Sequence, residues 1–338
     1  GGIRRSVEAS RGDALTAQAE LDAARVSVAA EVARNYALAC SSRLQADIAR
    51  ESLATQLRTL DLTQRLSAAG RGQRRDVANA ELLVAQAQAQ VPQFEAEQRA
   101  ALFALATLTG DTPANIASAA AACTAPPRTP FAIPVGDGAA LLARRPDVRA
   151  AEARLAADTA RVGVATAALY PSIRLAGSLS IGGTTPGALT ESNNLGFSLG
   201  PLISWSIPID GAARARVNAA SAQADARLAA FDGAVLTALQ ETEQALARLK
   251  AALEQETALQ SAARAAEEVA RITRIRFRAG RDNALQLLEV ERNLLAARAA
   301  TGSSAAARAE AEVSLFRALG GGWENAPAVQ DISATKRD

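Results

Sequence analysis

The chain has 338 residues, a formal net charge of +2, 49% hydrophobic but only 3% aromatic residues, two cysteines and no His. This near-neutral balance gives no electrostatic basis for nucleic-acid binding, and the lack of His removes His-based triads and His metal ligands. Two cysteines cannot by themselves build a four-ligand zinc site, and no nucleophile–base pair or phosphate loop points to an enzyme or to a bound cofactor.

From Ile3 to Ala69 there is no Pro and a single Gly, Gly12. That stretch predicts one uninterrupted helix, about 100 Å long at 1.5 Å per residue. Much of its apolar content is Ala, which suits long helices packed closely side by side. The cluster Gly70-Arg71-Gly72 then turns the chain back, and a second helix is expected over Arg74–Leu108, kinked or broken at Pro92. Residues 1–110 therefore read as an antiparallel helical hairpin. Residues 111–146 form a connector rich in Pro (Pro113, Pro126, Pro127, Pro130, Pro134), with a short helix expected from Asp137 to Arg145. Arg145-Pro146-Asp147 opens a further helix, residues 147–170, because Pro suits a helix first turn.

Residues 171–210 change period. Ile173, Leu175, Gly177, Leu179 and Ile181 alternate with Ser172, Arg174, Ala176, Ser178 and Ser180. After a Gly/Thr/Pro/Asn loop at 182–194, Leu195, Phe197, Leu199, Pro201, Ile203, Trp205, Ile207 and Ile209 alternate with Gly196, Ser198, Gly200, Ser204, Ser206 and Asp210, with Leu202 and Pro208 interrupting the polar face. Period two over at least ten residues, twice, predicts strands Ser172–Gly182 and Leu195–Ile209. The length and alternation fit transmembrane β-strands, apolar toward lipid and polar toward a lumen, with Trp205, Phe197 and Tyr170 as interface aromatics. A soluble ribbon packed on the helices is the other reading of the same pattern. A lone hairpin in lipid has unpaired edges, so further strands and several copies of the chain must close a barrel.

Residues 211–320 repeat the opening. Arg4/Arg214, Val7/Val217, Ala9/Ala219, Glu31/Glu241 and Gly70/Gly280 match at an offset of 210 residues. The repeat implies a duplicated half-protein, with a second helical hairpin turning at Gly280-Arg281-Asp282-Asn283 and helices over Ala212–Ala279 and Ala284–Leu319. Gly320-Gly321-Gly322 reads as a helix stop rather than an anion cradle, and residues 321–338 as a tail. The chain has no Met and begins inside a helical pattern, so a missing N-terminal part, carrying any targeting signal and a first strand pair, is expected. The fold class is mainly α with a β-hairpin.

The segments Arg144-Arg145-Pro146-Asp147-Val148, Ala168-Leu169-Tyr170-Pro171-Ser172-Ile173, Trp205-Ser206-Ile207-Pro208-Ile209-Asp210-Gly211 and Ala318-Leu319-Gly320-Gly321-Gly322-Trp323 together resemble the TolC-like family of outer-membrane efflux channels, in particular its lipoprotein branch typified by OprM and NodT. The resemblance implies a homotrimer in which each protomer gives four strands to a 12-stranded barrel in outer-membrane lipid and its helices to a periplasmic tunnel. It also implies a passive function: export of drugs or other toxic solutes from a Gram-negative cell, through a tripartite pump with a periplasmic adaptor and an inner-membrane transporter of the RND class. A type I protein-secretion channel is the alternative within the family. A soluble helical rod or scaffold is the alternative of another class, against which the two period-two stretches and the Arg-Pro-Asp segment weigh.

The resemblance also implies particular residues. The tips at Gly70, Arg71, Gly280 and Arg281 would dock the adaptor, amid Arg65, Arg74, Arg75, Arg274, Arg276 and Arg278. A periplasmic gate would involve Asp76, Phe277, Asp282, Gln286 and Glu289. Phe277 stands where the family has a Tyr that bonds the Asp at position 76, so Asp76 is expected to turn to Arg278 or Arg281. Gln286 replaces one of two channel-narrowing carboxylates and leaves Glu289 as the acidic ring, while Asp282 replaces an Arg. Antiparallel pairing about the first tip sets Gly110 near Ala33, about 10 Å from Cys40. The connector can therefore bring Cys123 to Cys40, and an oxidising periplasm would favour the disulfide.

Overall fold

The computed structural model describes residues 1–115, 118–128, 142–182, 195–205 and 211–321. In chain order these form α1 (Gly2–Ala68), α2 (Arg74–Leu108), the short α3 (Ser118–Ala121), α4 (Pro146–Ala167), β1 (Ser172–Ile181), β2 (Leu195–Ser204), α5 (Ala212–Arg278) and α6 (Ala284–Ala318). Two compact units result, one of Gly1–Leu21 with Pro146–Leu236, the other of Asp22–Arg145 with Thr237–Asp338. The expected helix over 137–145 falls largely outside the described residues. So do the far end of the second expected strand, with Ser206, Ile207, Pro208, Ile209 and Asp210, the loop from 183 to 194, and the tail from Gly322 onward, with Trp323.

The long helices end where glycine frees the backbone to leave the helix. α1 and α5 are each 67 residues long and α2 and α6 each 35. Both long helices stop at a glycine in the left-handed region, Gly70 at φ 70° and Gly280 at φ 69°. At each stop the next residue closes a 6→1 bond: Arg71 N–H donates to Leu66 O and Arg281 N–H to Arg276 O, both at 2.9 Å. This is the Schellman closure, which a β-carbon would strain. The expected break at Pro92 is not taken, and α2 runs through it. Pro92 is exposed, so the carbonyl it frees can be met by water. α4 stops three residues short of the expected end at Tyr170. Ala168, Leu169 and Tyr170 donate to carbonyls three residues back at 3.1–3.2 Å, a tightened last turn before Pro171, whose predecessor is disfavoured in helix.

In the unit of residues 22–145 and 237–338, Ala dominates the packing. Ala39, Ala101, Leu102, Leu105 and Ala120 form one core cluster, with Val32 and Tyr36 against it. Ala80 and Leu83 of α2 meet Leu288 of α6, with Leu60 of α1 alongside. Ala245, Leu315 and Ala318 form a third cluster. Side chains this small let helix backbones approach closely, so the cores are thin seams rather than a globular interior.

In the unit of residues 1–21 and 146–236, α4 lies on α1 so tightly that a β-carbon on Gly12 would stand 2.8 Å from that of Ala157. Ion pairs tie its helices: Arg161 donates to both oxygens of Asp13 at 2.7 Å, and Arg154 pairs with Glu20. Asp158, itself nearly buried, takes Arg161 at 2.5 Å and Arg227 of α5 at 2.9 Å.

Candidate functional site

Two regions carry the features singled out in the sequence: the strand pair and the two helical turns. β1 and β2 pair antiparallel, with Leu179 opposite Phe197, Gly177 opposite Leu199, Leu175 opposite Pro201 and Ile173 opposite Ile203. Directly opposed residues share a face, so this register gathers the apolar positions of both strands on one side. The other side carries Ser172, Arg174, Ala176, Ser178 and Ser180 against Ser204, Leu202, Gly200, Ser198 and Gly196. There Ser178 Oγ and Ser198 Oγ lie 2.9 Å apart. The apolar face is bare. Phe197 is 79% exposed, Leu175 74% and Leu179 72%, which decides against a ribbon packed on the helices in this chain. Beyond the end of β2, Trp205 Nε1 donates to Leu169 O at 3.2 Å, beside the exposed Tyr170. Each strand is 10 residues long, within the span that a tilted strand needs to cross a bilayer.

At the helical turns the structure rearranges the expected partners. Asp76 does not reach Arg278 or Arg281. It is 8% exposed, its Oδ2 accepts from Gln73 N–H at 3.4 Å, and its nearest cation is Arg75 at 4.0 Å. Gln286 holds the corresponding place at the second turn, where Asn283 N–H donates to Gln286 Oε1 at 3.0 Å and Gln286 N–H to Asn283 Oδ1 at 2.9 Å. Both residues are thus third in their helices, where a side chain reaching back satisfies an orphan donor of the helix end. The spacing Asn283-x-x-Gln286 is the capping-box signal that the sequence reading passed over.

Asp282 is held by Arg276, whose Nε lies 2.9 Å from both carboxylate oxygens. The hydrogen bonds from that guanidinium keep its carboxyl below the ordinary value. Arg65 pairs with Asp61 at 3.0 Å, and Arg274 grips the buried Glu291 through two bonds of 2.5 and 2.7 Å. Arg71, Arg74, Arg278 and Arg281 are exposed and pair with no carboxylate among the described residues, two at each turn. Phe277 is half-buried and lines a cleft of about 350 Å³ with Arg58, Arg278 and Leu287. Glu289 is exposed and unpaired among the described residues. Cys40 and Cys123 are joined, with sulfurs 2.00 Å apart. Sequence reading gave no sign of the pair between half-exposed Arg274 and buried Glu291 or of the buried Arg308–Glu256 pair, because each joins residues on different helices.

Comparison with known proteins places these features in one family. Residues 1–111 and 139–321 match the family described as outer membrane efflux protein. The chain is 31% identical to the outer membrane protein OprJ of Pseudomonas aeruginosa, over 96% of this chain and 67% of that protein. It is 29% identical to nodulation protein T of Rhizobium leguminosarum bv. trifolii, over 96% and 69% respectively. Among solved structures it superposes on the outer-membrane channel OprN with a TM-score of 0.90 at 37% identity, covering 96% of this chain and 72% of that one. The open-state MtrE channel of Neisseria gonorrhoeae gives a TM-score of 0.78 at 31% identity, over 95% and 72%. The chain belongs to the outer membrane efflux protein family, the TolC-like channels, and serves in the outer membrane as the channel component of an efflux pump.

Proposed function

We propose that the working unit is a homotrimer in which β1 and β2, with a further strand pair of the same chain, build one third of a closed barrel. The observation that carries this is the bare apolar face of the strand pair, seven of whose side chains are more than half exposed. A two-stranded ribbon has two open edges, and lipid tolerates no unpaired backbone, so the sheet must close with strands from elsewhere. The apolar face meets lipid, and the Ser-rich face lines the conduit. The matching lengths and 210-residue offset of α1/α5 and α2/α6 support descent from a duplicated half, the long helices forming the periplasmic tunnel.

In this reading the channel is passive. Energy and substrate choice reside in an inner-membrane RND-type transporter, joined through a periplasmic adaptor that docks on Gly70-Arg71 and Gly280-Arg281. Arg71, Arg74, Arg278 and Arg281, which pair with no carboxylate among the described residues, supply positive charge there, although Arg278 in the last turn of α5 also complements the helix dipole. Glu289, repeated three times about the axis, attracts cations at the narrow end. Chemical cross-linking of the full-length protein in native outer membranes tests the assembly. A ladder ending at three copies is expected, and one ending at dimer defeats the proposal.

A further inference from the structure

Six residues of the connector join three helices of one unit. Cys123 is bonded to Cys40 in the middle of α1, with Cα atoms 5.2 Å apart. A few residues on, the carbonyl of Pro127 accepts from Arg308 Nη2 of α6 at 3.3 Å, and Arg128 Nη2 donates to Glu256 Oε1 of α5 at 2.8 Å. At this contact Glu256 is 6% and Arg308 3% exposed. Arg308 Nε lies 3.0 Å from Glu256 Oε2, yet its N–H is not aligned for a hydrogen bond. Arg308 Nη1 also donates to Glu312, and Gln260 Nε2 donates to Glu256 Oε1 at 3.2 Å. Two guanidiniums thus face two carboxylates, and the central pair is both buried and imperfectly bonded. Such a pair relies on every neighbour that satisfies it and keeps water out.

We infer that residues 123–128 are a redox-sensitive strap. It is covalently anchored on the first helical hairpin and electrostatically on the second, and it seals the Glu256–Arg308 pair and holds α1 to α5 and α6 at this level. The anchors are unequal. The Arg128 side chain is 66% exposed, and an ion pair so open to solvent holds little by itself. The disulfide is the dominant anchor, and it can be reached from one side. Cys40 is fully buried, whereas Cys123 is half-buried. A thiolate from a dithiol reductant therefore attacks the Cys123 sulfur, and the Cys40 sulfur leaves as thiolate and takes a proton. The reductant's second thiol then displaces Cys123 as a thiol and closes its own disulfide, so two electrons pass from dithiol to protein.

The test is hydrogen exchange read by mass spectrometry on full-length protein in detergent, oxidised and after dithiothreitol, with alkylation confirming two thiols. Reduction is expected to speed exchange about tenfold or more in the connector around Cys123–Arg128 and in the turns carrying Glu256 and Arg308, leaving the Gly70 and Gly280 turns unchanged. Arg128→Ala in oxidised protein should speed it less, and reducing that variant should add no more than reducing the parent. Cys123→Ser should reproduce the reduced state without reductant. Unchanged exchange at Glu256 and Arg308 after full reduction overturns the strap. So does an acceleration that reaches the tips equally, since the disulfide would then be only a global staple, or an Arg128→Ala effect as large as reduction.

Discussion

The guanidinium of Arg145 donates through Nη1 to the carbonyl of Ala318, the last residue of α6, at 3.0 Å. Its Nη2 also grips Glu241 of α5 at 2.6 Å, and the residue is only 6% exposed. Arg145 thus closes a helix C-terminus, where a cation and a donor are both wanted. Arg145→Ala should lower unfolding stability by about 1.5–3 kcal/mol, the range for a buried hydrogen-bonded charge. Arg145→Lys should recover little, because one ammonium cannot span both partners. Chaotrope unfolding followed by circular dichroism checks this, and a shift below about 0.5 kcal/mol would reduce Arg145 to an ordinary surface residue.

The two turn glycines should respond alike. A β-carbon at Gly70 or Gly280 meets nothing within 4 Å, so substitution strains only the backbone. Gly70→Ala and Gly280→Ala should each cost about 1–2 kcal/mol, the left-handed penalty, with Asn milder than Ala. The same measurement suffices, and a neutral Ala at either turn would show that the helix end can relax.

On the strand pair, Leu199→Arg should impair membrane assembly while Ser198→Arg does not. Leu199 is 66% exposed on the apolar face, opposite Gly177, and a charge at mid-bilayer on a lipid face costs about 2–4 kcal/mol. Heat-resistant oligomer on a gel provides the readout. Equal assembly of the two variants contradicts the lipid-facing assignment.

Acid should weaken the unit that contains Asp158. Burial alone would raise its pKa, but hydrogen bonds from Arg227 and Arg161 outweigh burial and leave it below the ordinary 3.8. A lowered carboxylate contributes stability that is fully present above the unfolded value, near 3.8, and lost as pH falls through the lower folded value. Asp158→Asn should therefore be less stable than the parent at neutral pH, and the gap should narrow as pH drops below about 4. A gap independent of pH would mean that the bridge is structural without being titratable.

The gate proposal is tested by planar-bilayer recording of full-length protein. Glu289→Gln should lower cation selectivity, since in the proposed trimer this exposed carboxylate, unpaired among the described residues, recurs about the axis. Asp76→Ala is expected to raise conductance by loosening the start of α2, whose first turn it caps. If neither recording changes, the constriction lies elsewhere.

The helical hairpins were legible before any coordinates because their causes are local. A Pro-free stretch with one Gly, ended by Gly70 or Gly280, states helix and turn through backbone conformation alone. The alternation in β1 and β2 likewise states which side chains share a face. The pairing register was a tertiary decision: it set Leu179 against Phe197 and Ser178 against Ser198, and a slip of one residue would have mixed the faces. Asp76 and Gln286 show the other limit. The resemblance turns Asp76 toward Arg278 or Arg281, whereas its side chain, like that of Gln286, reaches back to its own helix start, since an orphan N–H three residues away is nearer than a partner across the turn. Nothing local could place Arg308 on Glu256 or Arg145 on Ala318. Those contacts join residues far apart along the chain, and they exist only because small Ala side chains bring the helices close enough for long guanidiniums to cross between them.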